Sequence, residues 1–356
     1  MSTPSQRNAG TPSSIIFQSS LHNRSVVLLD IPRSLEEAQV PPGQQPPRRV
    51  YCRPPPRDPF PTPDPRRHGR RRRGSRAPDW PAQAPAAQIN DLMTAASVRS
   101  ALLFLRDNHP GPYHLPRVCA PDNQDNQDDP GNSTTIPVPN ATALHGSIAQ
   151  LGREFLETAP AFKLVVLDPP WPNRSARRRA GNYATVMNLA EMKALLTSIP
   201  IAARLASDGL VAVWITNKTD IPELLTRPGG VFASWGVELV CEWTWLKITS
   251  LGEPVFDVDS TWRKPWEKML VAKRIGAPAP ALLRPKVIVA APDVHSRKPS
   301  LRGLFEEILG ESYPALEVFA RNLTAGWWSW GDQVLQFQGE RYWQQKEPKA
   351  TSRAGP

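Results

Sequence analysis

Residues Leu164 to Trp171 constrain this chain more than any other stretch. Leu164-Val165-Val166-Leu167 is an unbroken apolar run, as expected of a strand covered on both faces. Asp168-Pro169-Pro170 ends it, because proline has no N–H to give to a ladder and a fixed φ. A strand buried on both faces needs helices on both sides, so the region has to be α/β. The downstream pattern agrees, with a buried strand predicted at 209–215, a period-two strand with one apolar face at 237–246 and further strands at 269–272, 287–290, 316–320 and 334–337. Helices are predicted at 189–198, opened by Asn188 with Glu191, at 220 to just before Gly229, and at 300–309, capped by Ser300 and stopped at Gly310. The expected fold is a doubly wound sheet of about seven strands.

The way this strand ends also points to chemistry. In open α/β sheets ligands bind at the carboxyl ends of the strands. Here that end carries an acid, two proline carbonyls and an indole. The Asp168 carboxylate and a proline carbonyl suit an exocyclic NH2, and Trp171 suits the flat base bearing it. An aromatic amine is a poor nucleophile until acceptors on its hydrogens favour the pyramidal form. The alternative is an Asp-Pro-Pro turn beside a core tryptophan. No Gly-rich phosphate loop precedes Asp168, so a cofactor without a phosphate fits better than a nucleotide.

Six motifs occur in one order: Asp168-Pro-Pro-Trp-Pro-Asn-Arg-Ser-Ala-Arg-Arg, Val213-Trp-Ile-Thr-Asn217, Glu242-Trp-Thr-Trp-Leu-Lys-Ile-Thr249, Lys264-Pro-Trp-Glu267, His295-Ser-Arg-Lys-Pro299 and Glu317-Val-Phe-Ala-Arg-Asn-Leu323. In this the chain resembles the adenine-N6 methyltransferases related to the mRNA methyltransferase catalytic subunit. The Trp-Xaa-Trp-Xaa-Lys-Ile-Thr stretch and the Ala-Arg-Asn-Leu ending look most like the methyltransferase-like protein 4 branch. The resemblance covers roughly Phe162 to Phe337.

That resemblance implies a Rossmann-like class I methyltransferase with permuted motif order and S-adenosyl-L-methionine as cofactor. It implies catalytic roles for Asp168, Pro169, Pro170 and Trp171. Cofactor contacts would come from Leu167, Lys298, Arg321, Asn322, Asp332 and Gln333, with Lys298 on the cofactor's carboxylate. Substrate contacts would come from Asn173, Arg174, Arg177, Tyr183, Lys264 and Glu267, and no metal is implied. The chain departs from the family pattern at Asp332 (Asn in the family), at Trp266 (Tyr) and at Leu323-Thr324 (His-Asn in the mRNA enzyme). The activity implied is methylation of adenine N6 in nucleic acid, adenosine of a nuclear RNA such as small nuclear RNA ahead of DNA. The other readings are an inactive nucleic-acid-binding or scaffolding homologue and a methyltransferase for another amine or amide. The retained acid and tryptophan favour activity.

Outside the motifs, composition marks the boundaries. Residues 1–90 hold fourteen Arg, no Lys and six acids, a net +8 of the chain's +10. Residues 1–89 are expected to be Pro/Arg-rich and mostly disordered, most clearly between Pro41 and Pro65, with a hairpin over 14–29. Arg66 to Arg73 suits nuclear import, phosphate contact or a solvated tail. Residues 90–160 are expected to form a helical accessory region around a mobile loop at 121–140. Its helices would be 90–108, capped by Asn90 with Leu92, Met93, Val98, Leu102, Leu103 and Leu105 on its apolar face, and 141–158. The methyltransferase domain would span 161–340 and a disordered tail 341–356. Three cysteines, Cys52, Cys119 and Cys241, are too few for a disulfide framework. No membrane span or secretory signal is read, and the expectation is a nuclear monomer with nucleic acid as its partner and no obligatory protein subunit.

Overall fold

The apolar run before Asp168 lies near the middle of a ten-stranded sheet. The computed structural model describes residues 13–21, 24–62, 85–119, 134–172, 188–260, 263–294 and 297–345. In chain order its elements are β1 (Ile15–Leu21), β2 (Arg24–Leu29), α1 (Ile31–Ala38), β3 (Arg48–Cys52), α2 (Pro85–Asn108), β4 (Val118–Cys119), β5 (Thr142–His145), α3 (Ile148–Thr158) and β6 (Phe162–Leu167). There follow α4 (Leu189–Ser198), α5 (Ile201–Arg204), β7 (Leu205–Ile215), α6 (Asp220–Thr226), α7 (Val231–Trp235), β8 (Val237–Lys247), β9 (Trp266–Arg274), β10 (Lys286–Ala290), α8 (Arg302–Leu309), β11 (Ala315–Val318), β12 (Trp328–Gly331) and β13 (Trp343–Gln345).

The large sheet runs β1-β2-β10-β8-β9-β7-β6-β11-β12-β5, and β13-β3-β4 form a small second sheet. Only β1 and β9 oppose the common strand direction in the large sheet. One face packs against α3–α7, through residues such as Phe155, Leu196 and Trp235, and farther along against α2. The other face packs against α1 and α8, through Leu35, Leu304 and Phe305 on Trp214, Trp243 and Trp245.

The N-terminal segment departs most from the sequence expectation. β1 and β2 pair as a hairpin, and β2 continues the large sheet by parallel pairing to β10. A lone hairpin is marginal in water, but Val26, Val27 and Leu28 are fully buried here. α1 was not foreseen. Asp30 caps it by accepting from Arg33 N at 2.9 Å. The disorder expected of 41–65 does not hold for its described part, 41–62. Glu36 Oε1 accepts from Arg49 Nε at 2.7 Å and from Val50 N at 3.2 Å, which ties β3 to α1. β13 pairs with β3, so the part of the expected tail that includes Trp343 is folded. Residues 1–12, 63–84, 120–133 and 346–356 lie outside the described set, with the Arg66–Arg73 run and most of the expected 121–140 loop among them.

Four element boundaries also shift. Residues 141–158 hold β5 and then α3, opened by a capping box of Ser147 and Gln150. α2 starts before Asn90, whose Oδ1 accepts from Lys268 Nζ at 3.2 Å. The buried face of α2 is Thr94, Ala95, Val98, Ala101 and Leu105, while Leu92, Met93 and Leu103 are exposed. Leu301 rather than Ser300 is the N-cap of α8. The last strand of the large sheet is 328–331, and residues 334–337 form turns. β3 and β4 bring Cys52 and Cys119 into register, and both are free thiols.

Candidate active site

β6 delivers Asp168 to the carboxyl edge, and the two prolines turn the chain there. Trp171 N donates to Pro169 O at 2.7 Å, closing the turn. The Trp171 indole N–H donates to Trp214 O at 2.7 Å, and the ring is only 7% exposed within the core cluster beneath the motif. Trp171 therefore locks the turn to β7, and its faces are covered by protein. The surface for base stacking expected of it is not available in this conformation.

Four charged side chains converge on the turn. Lys298, in the segment between β10 and α8, places Nζ 3.1 Å from both oxygens of Asp168 and 3.1 Å from Glu267 Oε2. Glu267 also pairs with Lys247. β9 runs against its neighbours, so its first residues lie beside the last residues of β8, and this brings Glu267 to Lys247. Burial alone would push the Glu267 carboxyl up. The Lys247 and Lys298 ammoniums outweigh it and hold the pKa at about 2. Burial likewise lowers the Lys298 ammonium, but Asp168 and Glu267 more than offset this, so it stays charged well into the alkaline range.

The cleft beside this network is lined by Leu35, Val166, Trp214, Phe319, Arg321 and Asn322, among others. Glu317 on β11 also lines it, one strand from Asp168. Burial and the Asp168 charge raise its carboxyl to about 7, partly offset by Arg321.

The structure thus brings Asp168, Lys298, Glu267, Arg321 and Asn322 together, and it sets other expected residues apart. Leu167 is fully buried in the core on the opposite face from Val166, because side chains alternate along a strand. Lys264 turns to the α2 face, 3.9 Å from Asp91 Oδ2 and 5.2 Å from the Trp266 ring centre. Period two separates it from Glu267. Asp332 and Gln333 follow β12 on the same carboxyl edge but do not line the cleft. Asp332 is exposed, and its carbonyl accepts from His145 Nε2 at 3.1 Å. Asn173, Arg174, Arg177 and Tyr183 lie outside the described residues.

Two participants were missed. Lys247 shares the face of Trp243 and Trp245, a position the period-two pattern carries. Glu317 is an acid inside an apolar strand, which is a signal in itself because such a group is costly to bury without a use.

A family model, MT-A70, matches residues 162–333, the stretch that carries these groups. The chain is 48% identical over 338 residues to a protein of Cryphonectria parasitica named N6-methyladenosine RNA methyltransferase MTA1, covering 93% of this chain and 94% of that one. The chain belongs to the MT-A70 family. It is therefore a member of the adenine-N6 methyltransferase family whose motifs its sequence carries. The MTA1 protein of Pyricularia oryzae is 41% identical over 371 residues, 92% of this chain and 96% of that one. Mouse N(6)-adenine-specific methyltransferase METTL4 is 37% identical over 199 residues, 52% of this chain and 40% of that one. Likeness to the METTL4 branch is thus confined to about half of the chain, whereas the fungal MTA1 proteins match the N-terminal elements as well.

Proposed function

We propose that this MT-A70 protein transfers a methyl group from S-adenosyl-L-methionine to the exocyclic N6 of adenosine in RNA. The observation that carries the reading is the Asp168 carboxylate at the carboxyl end of a buried strand, fixed by Lys298 beside a cleft of mixed charge. RNA is favoured over DNA by the two MTA1 proteins, whose names give RNA as the substrate and which match nearly the whole chain.

The donor set of the cleft fits the cofactor. Its carboxylate needs a cation, and Lys298 and Arg321 are there. Its ammonium needs an acceptor, and Asp168 and Glu317 are there. Lys298 already meets three carboxylate oxygens with its three donors, so a ligand carboxylate would share it with Asp168 and Glu267. Asn322 in the cleft suits its ribose or adenine; the family resemblance adds Asp332 and Gln333, which stand outside the cleft on the same edge of the sheet. When bound, S-adenosylmethionine supplies an electrophilic sulfonium methyl.

The chain supplies position. Asp168 and a proline carbonyl of the turn, whose Pro169 member also accepts from Trp171 N–H, are the acceptors for the two amine hydrogens. Holding both favours the pyramidal amine and aims its lone pair. The methylated nitrogen is briefly cationic and strongly acidic, and its proton passes to Asp168 or water. No strong base is needed, and the rate comes chiefly from orientation. Lys298 holds the Asp168 carboxylate in position for this purpose, and the Lys247–Glu267 pair keeps Lys298 in place.

Nuclear RNA, small nuclear RNA in particular, is the proposed substrate class and the nucleus the proposed location. The basis is the Arg66–Arg73 run, which suits import and phosphate contact. A monomer acting without a partner subunit completes the proposal. The test is transfer of labelled methyl from S-adenosylmethionine to RNA, DNA and protein, followed by nucleoside analysis. N6-methyladenosine from RNA is expected. Label confined to DNA or protein, or none at all, would overturn the reading.

A further inference from the structure

Residues 53–62 cross the carboxyl edge of the sheet as a strap. Arg53 N donates to Asp293 Oδ1 at 2.9 Å. Arg117 ties the Arg53 carbonyl to those of Ala291 and Pro292, just past β10, at 2.8–2.9 Å. Ser250 N then donates to Pro56 O, and Phe60 N to Val255 O, each at 2.8 Å. Val255 N in turn donates to Lys247 O at 3.0 Å. Phe60 therefore lies two strand spacings, about 10 Å, from the backbone of the lysine that pairs with Glu267. Prolines at 54, 55, 56, 59 and 61 stiffen the strap by fixing φ.

On this fixed backbone Phe60 is 48% exposed. Its ring lies 5.6 Å from that of Phe256 at an interplanar angle of 42°, and the Arg263 guanidinium lies 5.5 Å from the Phe256 ring centre. Arg53 and Arg57 are exposed on the same strap. Trp171, the aromatic of the motif, has its faces covered. Among the described residues this pair is an open aromatic surface near the site, with Arg263 against Phe256 and the exposed acids Asp58, Asp257 and Asp259 close in sequence.

We propose that Phe60 and Phe256, with Arg263, form a stacking platform for a nucleobase of the RNA strand near the adenosine to be methylated. The proposal rests on the RNA-methylating reading above and adds a second contact point to it. Stacking on an aromatic ring tolerates any base, because every base has a π-face, and a guanidinium beside the rings strengthens it. The strap arginines supply phosphate contacts along the same path.

The test uses the full chain and a single-stranded RNA with one adenosine flanked by 2-aminopurine, a fluorescent base that lacks the N6 amine. Affinity is read by anisotropy, stacking by quenching of 2-aminopurine, and methyl transfer in the same samples. Phe60→Ala is expected to weaken binding about 5- to 150-fold, the range for loss of one stacked base, and to abolish the quench. kcat at saturating RNA should be unchanged and KM raised. Phe60→Tyr should keep affinity and quench. Phe60→Leu, which keeps the apolar bulk and guards against a folding artefact, should lose the quench. Binding and quenching by Phe60→Ala equal to the parent's would overturn the platform while leaving the methylation reading intact. Phe60-dependent binding with no methyl transfer by the parent would keep the platform and sink the reading. A parent that binds no RNA would overturn both.

Discussion

Lys298 illustrates how one side chain acquires two roles. The family resemblance alone implies that it holds the cofactor's carboxylate, and the structure also puts it on both oxygens of Asp168. Lys298→Ala should then weaken S-adenosylmethionine binding by about 1.5–3 kcal/mol and also lower kcat at saturating cofactor, because Asp168 loses the cation that orients it. Calorimetry with turnover measurement checks both, and a change in affinity alone would assign Lys298 to the cofactor only. Glu317 gives a pH signature. Its folded pKa of about 7 lies above the ordinary 4.5, so its contribution to stability is full below pH 4.5 and is lost as pH rises through 7. Glu317→Gln should remove that loss and be more stable than the parent at pH 8, by up to about 3 kcal/mol. Urea denaturation at pH 5 and pH 8 would show it, and identical pH slopes in the two proteins would contradict it. Glu267, held at about 2, acts in the opposite sense: its contribution is present above 4.5 and is lost as pH falls toward 2.

At the scale of elements, the Asp-Pro-Pro-Trp turn depends on Trp171 as a wedge. Trp171→Phe keeps most of the apolar volume but loses the indole bond to Trp214 O, and the carbonyl is left without it in a buried site. A loss of about 1–3 kcal/mol is expected, measured as a lower urea midpoint at unchanged slope. An unchanged midpoint would mean that the turn holds itself. Catalytic strands such as β6 and β7 were legible because a run of four or more apolar residues between turn signals has few other solutions. The acid at the end of β6 was legible because prolines fix where the strand stops. β2 and α1 were hidden in a segment whose composition is dominated by Pro and Arg. Their stability comes from pairing with β10 and packing on Trp243 and Phe305, all more than 200 residues away in the chain. Lys264 was misplaced for a related reason. Its motif gives its neighbours in sequence, but the face it occupies is set by the register of β9 and by the position of α2.

For the whole molecule, charge and fold divide the work. The sheet places the chemistry at one edge, and the excess positive charge lies mostly in the first quarter of the chain. Replacing the seven arginines between residues 66 and 76 by glutamine should leave folding and methyl transfer to a short RNA intact. It should weaken binding to long RNA and flatten the dependence of log affinity on log salt, by about 0.7 for each phosphate that is no longer neutralised. An unchanged salt slope would make this stretch a passive tail. The central claim, that Asp168 holds the amine that is methylated, is tested most directly by Asp168→Ala in the full chain. Yield of N6-methyladenosine from RNA and heat of S-adenosylmethionine binding would be measured on the same preparation. The account predicts a folded protein that still binds cofactor and produces no N6-methyladenosine. A folded Asp168→Ala protein with substantial turnover would contradict it.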